Sequence, residues 1–182
     1  VSVLITVTPL VEQNQKTLGE LQELSANLQE KGIRSALRVA AKPLQAAMQA
    51  AAPDDSRTPG SRLARSINIT QAKTGATVRT GAGDRAVVVG DGEVGVIVGP
   101  NKKVGGTGVG YIGWMLESGT KAHKIKSKRK FLKIGGRFAG RSVMHPGVKA
   151  MAWMSRSFDS ASSLVEEGFY TGLEKWMDKN GR

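Results

Sequence analysis

Two stretches with apolar residues at every third or fourth position bracket a middle of short valine-rich runs. That order limits the fold more than any other feature of the chain. In the first stretch Leu18, Leu21, Leu24 and Leu28 step at helical spacing. After Gly32 the pattern resumes at Ile33, Leu37, Ala40, Leu44, Ala47, Met48 and Ala51. The spacing predicts helix from about Thr17 to Ala51 with a break or bend. Pro43 lacks a backbone donor and clashes with the carbonyl four residues back, so a kink is expected there. In the second stretch Met151, Met154, Phe158, Ala161, Val165, Phe169, Leu173 and Trp176 recur in the same way. Pro146 is expected to open this helix. Uninterrupted from Val148 to Lys179, it would be about 48 Å long at 1.5 Å per residue. Gly168 and Gly172 each cost about 1 kcal/mol against alanine and mark where it would bend.

Between the helices the period changes to two. Val1, Val3, Ile5 and Val7 alternate with Ser2, Leu4 and Thr6 and predict a short strand that Pro9 ends. Residues 53–62 hold Pro, Asp, Ser, Arg and Gly without periodicity and read as a loop. Ser66 to Ala72 and Ala76 to Thr80 flank Lys73-Thr74-Gly75, one hairpin signal. Arg85 to Val89 and Val94 to Val98 flank Asp91-Gly92, a stronger one, because both central residues of such a turn take positive φ. The expected fold is α+β: an antiparallel sheet of about four strands or more, packed by a long N-terminal and a long C-terminal helix, with extended loops. Residues 1–182 are expected to form a single domain. Residues 1–52 supply a strand and helices, 63–99 β-hairpins, 100–147 a glycine-rich and basic loop region, and 148–182 the last helix. Within 100–147, Tyr111 to Ser118 predicts a short helix ended by Gly119, and Phe131 to Ile134 a strand.

The charge is one-sided. The chain carries +12 at pH 7, with a pI near 10.2, which favours a polyanionic neighbour: nucleic acid, a membrane surface or an acidic protein. Much of it sits in Lys121 to Arg141, which holds nine Lys or Arg and no Asp or Glu. Lys121, Lys124, Lys126, Lys128, Arg129, Lys130, Lys133, Arg137 and Arg141 can neutralise phosphates without reading bases. They could equally meet acidic surfaces of neighbouring subunits. Phe131 and Phe138 are too few for a single-strand stacking platform.

Little here suggests chemistry. Residues 104–110 are glycine-rich, but Tyr111-Ile112 follows where a phosphate loop needs Lys-Ser or Lys-Thr. His123, His145 and Glu117 are the candidates for a metal or acid–base cluster, and two histidines 22 residues apart have no helical or zinc-finger ligand spacing. His145 before Pro-Gly reads as a turn cap. A nuclease would need clustered carboxylates, yet Asp54, Asp55, Asp84, Asp91, Glu93 and Glu117 fall mostly in predicted turns. There are no cysteines, hence no disulfide framework or thiolate site. The expectation is a protein without cofactor, metal or catalytic residues, and not an enzyme. Val1 to Val7 is too short to span a membrane and lacks the basic start of a signal peptide, so a soluble, non-secreted protein without a membrane partner is expected.

Three punctuated stretches remain, in fixed order. Ala52-Pro53 leads through Thr58-Pro59-Gly60 to Leu63 and Ser66-Ile67. Glu117-Ser118-Gly119-Thr120 follows Tyr111. His145-Pro146-Gly147 feeds the last helix. With His123-Lys124-Ile125 and Phe131-Leu132 between the second and third, the chain resembles the tail-completion (head–tail joining, or neck) family of tailed bacteriophages, related to minor tail and virion-morphogenesis proteins. The resemblance covers roughly residues 1–165. Pro59 splits the usual Thr-Gly, and Ala152 stands before Trp153 where the family tends to have proline. The resemblance implies structural roles for Pro53, Gly60, Leu63, Ser66, Glu117, Gly119, Thr120, His145, Pro146 and Gly147. Gly119 is expected in a conformation a Cβ disfavours, with Glu117 and Thr120 bonded to local backbone.

The resemblance further implies a non-enzymatic virion subunit that joins tail to head as a homo-oligomeric ring, hexameric or, less favoured, dodecameric, around the DNA channel. Its partners would be head-completion or connector proteins, tail-terminator or tail-tube proteins, and non-specifically held double-stranded phage DNA. It would reside in the virion neck or tail, and in host cytoplasm during assembly. The alternative is a free basic nucleic-acid-binding protein without sequence specificity.

Overall fold

One helix with two buried faces organises the molecule. The computed structural model describes residues 3–5, 15–22, 24–53, 62–72, 77–79, 86–90, 93–100, 109–127, 133–134, 137–138 and 140–180. Its elements are β1 (Val3–Ile5), α1 (Gln15–Gln22), α2 (Ala26–Ala51), α3 (Arg62–Ser66), β2 (Ile67–Ala72), β3 (Thr77–Arg79), β4 (Ala86–Val88), β5 (Gly95–Pro100), α4 (Val109–Ser118), β6 (His123–Lys126), β7 (Lys133–Ile134), β8 (Arg137–Phe138), β9 (Ser142–His145) and α5 (Trp153–Asn180). The mixed α and β class expected from the sequence is present. Its layering differs from the expectation.

The long C-terminal helix α5 packs chiefly on α2 and not on the sheet. The two run antiparallel, with Gly32, Ala36 and Ala40 of α2 opposite Trp176, Gly172 and Gly168 of α5. A Cβ on Gly172 would lie 2.9 Å from Val39 Cβ and 3.0 Å from Ala36 Cα, and one on Gly168 would lie 3.1 Å from Ala40 Cα. These glycines therefore bring two helices together, and α5 runs unbroken from Trp153 to Asn180. Gly32 has the same purpose: a Cβ there would meet Trp176 Cε3 at 2.9 Å. The break in the first helix falls instead at Ser25, which is extended. α2 continues past Pro43. The Val39 carbonyl, deprived of its helical donor by that proline, faces Gly168, whose Cβ position is 3.6 Å away.

The other face of α2 covers the sheet. That sheet has three strands in the order β1-β5-β2, all antiparallel. No sheet of four strands occurs among the described residues. The remaining strands form two-stranded ladders, β3–β4, β6–β9 and β7–β8. β5 is the centre strand and is apolar almost throughout, as a strand with two neighbours and a helix over it should be. Val96, Val98 and Ile67 join Leu37, Leu44 and Met48 in one buried cluster. Pro100, opposite Ile67 in the register, has no N–H to give. Gln45 and Gln49, one turn apart on α2, donate to the Ile67 carbonyl at 2.9 and 3.2 Å.

The two expected hairpins are replaced by a single long one. β2 pairs with β5 and β3 with β4, so the two ladders are nested. Residues 73–76 and 91–92 lie outside the described residues. Around Asp91-Gly92, Glu93 N–H donates to the Gly90 carbonyl at 3.2 Å and Gly90 N–H to the Glu93 carboxylate at 2.8 Å. A turn is thus present, but it does not pair β4 with β5. β5 buries more by lying between β1 and β2 under α2 than it would against β4, so burial overrides the local turn signal.

Candidate functional site

Two of the three punctuated stretches meet at the start of α5. α4 ends at Gly119, whose φ of +72 is the left-handed value expected for a residue that closes a helix. A Cβ there would lie 2.7 Å from both Ala150 N and Val148 O. Thr120 and Val148 form a two-way bridge: Thr120 N–H donates to Val148 O at 2.8 Å and Val148 N–H to Thr120 O at 3.0 Å. Thr120 Oγ1 accepts a further bond from Val148 N–H. Gly147, at φ +89, fits against the Thr120 carbonyl where a Cβ would overlap it. Met151 and Ala152 N–H groups donate to the Leu116 and Glu117 carbonyls at 2.9 and 3.1 Å.

The Glu117 side chain completes this joint. It is buried, and its carboxylate accepts from Met154 N–H at 2.7 Å, Ser155 N–H at 3.1 Å and Ser155 Oγ–H at 2.6 Å. The first N–H groups of a helix lack partners inside it and carry partial positive charge. A carboxylate from another element fills both needs. Glu117 and Thr120 therefore bond backbone about thirty residues further on, not local backbone as expected. One signal in the sequence pointed this way: Ala152, the residue before α5, cannot act as a side-chain cap. Ala152 has φ +46, which proline cannot adopt; here the departure from the resembled pattern has a geometric consequence. Pro146 does not open α5, because residues 146–152 are occupied with the bridge and α5 begins at Trp153.

The first stretch reaches the same place from behind. Leu63 Cδ1, Pro100 Cγ and Trp153 Cζ2 crowd Gly113 of α4, at 3.2, 3.1 and 3.8 Å from its Cβ position. Trp153 Nε1–H points to the Gly113 carbonyl at 3.4 Å. Ser66 Oγ–H donates to Leu63 O within α3 at 2.7 Å. Pro53 follows α2, half-buried, and Gly60 lies outside the described residues. α4, α5 and the end of β5 thus lock together around the base of whatever lies between Thr120 and Val148.

What lies between them is the basic stretch, and it is a second hairpin and not a loop. β6 pairs with β9 from His123↔His145 to Lys126↔Ser142, and Ser127 N–H extends the ladder to Arg141 O. Beyond it β7 pairs with β8. No residue of β6 or β9 is buried. Lys124, Lys126, Ser142 and Met144 alternate onto one face and are exposed, while Ile125, Val143 and His145 on the other are half-buried. The rings of His123 and His145 stack with centroids 5.1 Å apart. His123 Nδ1 bonds the Lys121 carbonyl and so is the protonated nitrogen, whereas His145 Nδ1 accepts from Gly147 N–H at 3.0 Å. His145 therefore caps its turn. No group of three or more metal-ligating side chains occurs among the described residues, and the two rings lie face to face with Nδ1 engaged.

Lys121, Lys124, Lys126 and Arg141 are exposed at the base of this arm. Lys133 and Arg137 sit on β7 and β8 nearer its tip. Lys128, Arg129 and Lys130 lie outside the described residues. Residues 15–137, about two thirds of the chain, match the HK97-gp10-like family, described as "Bacteriophage HK97-gp10, putative tail-component". The chain belongs to the HK97-gp10-like family. The match takes in α2, the long hairpin, α4 and the ascending side of the basic arm. Neither a curated protein nor a solved structure gives a match. As an HK97-gp10-like chain it is a phage tail component, whose work is with other structural proteins of the particle. No helix among the described residues is long and apolar enough to cross a membrane.

Proposed function

We propose that this HK97-gp10-like chain is a neck or tail-completion subunit, assembled as a ring that joins tail to head around the DNA channel. It acts by shape and charge and catalyses nothing. The observation that carries the reading is the basic arm. A two-stranded ribbon is marginal alone in water, yet this one is planted on a dense joint and, among the described residues, has no buried position on either strand. Such an element is built to be completed by a partner. Its nine positive charges select an anionic one, and its residue types suit phosphate contact without base recognition. A hexameric ring is favoured, and the arms would line or flank its channel.

The test has two parts. Tails carrying a labelled chain should show density at the tail's upper end with ring symmetry; label along the tail tube or at its far tip would overturn the neck assignment. Purified protein should bind two unrelated duplexes equally and lose affinity steeply between about 50 and 200 mM salt, because each neutralised phosphate releases counterions. Changing Lys126, Lys128, Arg129 and Lys130 together to Ser should flatten that slope and leave the fold intact. A preference for one duplex, or salt-independent affinity, would favour the free nucleic-acid-binding alternative.

A further inference from the structure

The exposed surface of α5 carries five carboxylates, Asp159, Glu166, Glu167, Glu174 and Asp178, against three cations, Arg156 near its start and Lys175 and Lys179 near its end. On a 3.6-residue helix the five carboxylates fall on the side away from the α2 seam, spread over about 28 Å at 1.5 Å per residue. None of the five forms an ion pair among the described residues. The same holds for Lys121, Lys124, Lys126 and Arg141 at the base of the basic arm. One chain therefore displays two unpaired surfaces of opposite sign on different elements. Each has an apolar residue in or beside it: Met144, directly opposite Lys124 in the β6–β9 register, is 66% exposed, and Leu164 on α5 is 51% exposed.

We infer that the lysine face of the β6–β9 ribbon docks on the acidic face of α5 in a second copy of this chain. The inference rests on the ring reading and deepens it by naming the two surfaces. Two different patches meet, so the contact is head to tail, the kind that closes into a ring when the rotation allows. Exposed single ion pairs contribute little, but several complementary charges around an apolar contact set register and exclude wrong partners. Lys124 and Lys126 lie about 7 Å apart along one face of a strand. Glu167 and Glu174 lie about 10 Å apart on the outer face of α5, a separation that long lysine side chains span. The base of the arm is then used between subunits, and its more distal charges remain for the channel.

Charge reversal tests this. Lys124→Glu with Lys126→Glu should weaken self-association by at least about tenfold in low salt, read by analytical ultracentrifugation. Glu167→Lys with Glu174→Lys should do the same. A chain carrying all four changes should regain assembly, as should an equimolar mixture of the two double variants. Circular dichroism of each variant confirms that the fold is kept. Loss in both double variants without recovery in the fourfold chain would overturn the contact. So would unaltered assembly of either double variant, and the ring reading would then stand with a different interface. If the arm reversal lowers duplex affinity and leaves assembly unchanged, the base of the arm belongs to DNA and the inference is wrong. A wild-type chain that stays monomeric at all concentrations, alone and on purified tails, removes the ring reading and this contact with it.

Discussion

The described residues form two long β-hairpins of nested ladders, and they are held in opposite ways. The first, from β2 to β5, has its base under α2, with Ile67, Val96 and Val98 in the core and a third strand along β5. The second, from β6 to β9, has no buried residue on either strand and, among the described residues, is held at its base by the joint around Thr120 and Val148. The first is stabilised at its base, where β2 and β5 remove apolar surface from water. The second depends on the hydrogen bonds and close backbone contacts of one joint. A chain that needs a rigid body and a presentable arm can obtain both from the same motif by covering one copy and leaving the other bare.

The largest effect should come from breaking the joint. Gly119→Val places a branched side chain at φ +72 and 2.7 Å from backbone on two sides, so destabilisation of about 3 kcal/mol or more is expected. Thermal unfolding and the yield of joined particles measure it, and a wild-type melting curve would show that the joint does not hold the arm. Glu117→Ala should follow, at about 2–4 kcal/mol, because it leaves the buried Met154 N–H and the partly buried Ser155 N–H without their acceptor.

The comparison is sharpened by truncating one isoleucine in each hairpin. Ile67→Ala should cost about 2–4 kcal/mol, as large-to-small changes in a core do. Ile125→Ala in the monomer should cost under about 1 kcal/mol, since it is only half-buried. Equal losses in denaturant midpoint would contradict the division between covered and bare hairpins. Hydrogen exchange gives the same contrast residue by residue. Amides of Val96 and Val98 should exchange only on global opening, and those of the β6–β9 ladder far sooner until a partner is present. The smallest effect is a gain: Ala152→Gly relieves an alanine held at φ +46 and should stabilise by about 0.5–1 kcal/mol. A loss there would mean that alanine's Cβ contributes packing that outweighs the strain.

Much of the local structure was legible. The helical spacings placed α2 and α5, the valine-rich runs fell on β2 to β5 to within a residue or two, and Gly119 ended α4 with positive φ. The site was legible only as fragments. Glu117, Gly119 and Gly147 stood out individually, but nothing local said that they meet around the first turn of α5. The basic stretch read as a loop because like charges and glycines hide the period of two that β6 and β9 follow.

The sequence by itself determined the elements, the charge and the positions of the special turns, because periodicity, propensity and positive φ are properties of neighbouring residues. The tertiary structure alone decided which strands pair, that α5 lies on α2, and that Gly32, Gly168 and Gly172 serve close approach where isolated helices would only be weakened. Those outcomes depend on which arrangement buries β5 and α2 most fully, and that comparison involves residues tens to more than a hundred positions apart. The same holds for Glu117: a carboxylate becomes a helix cap only when another part of the chain brings it an uncapped helix.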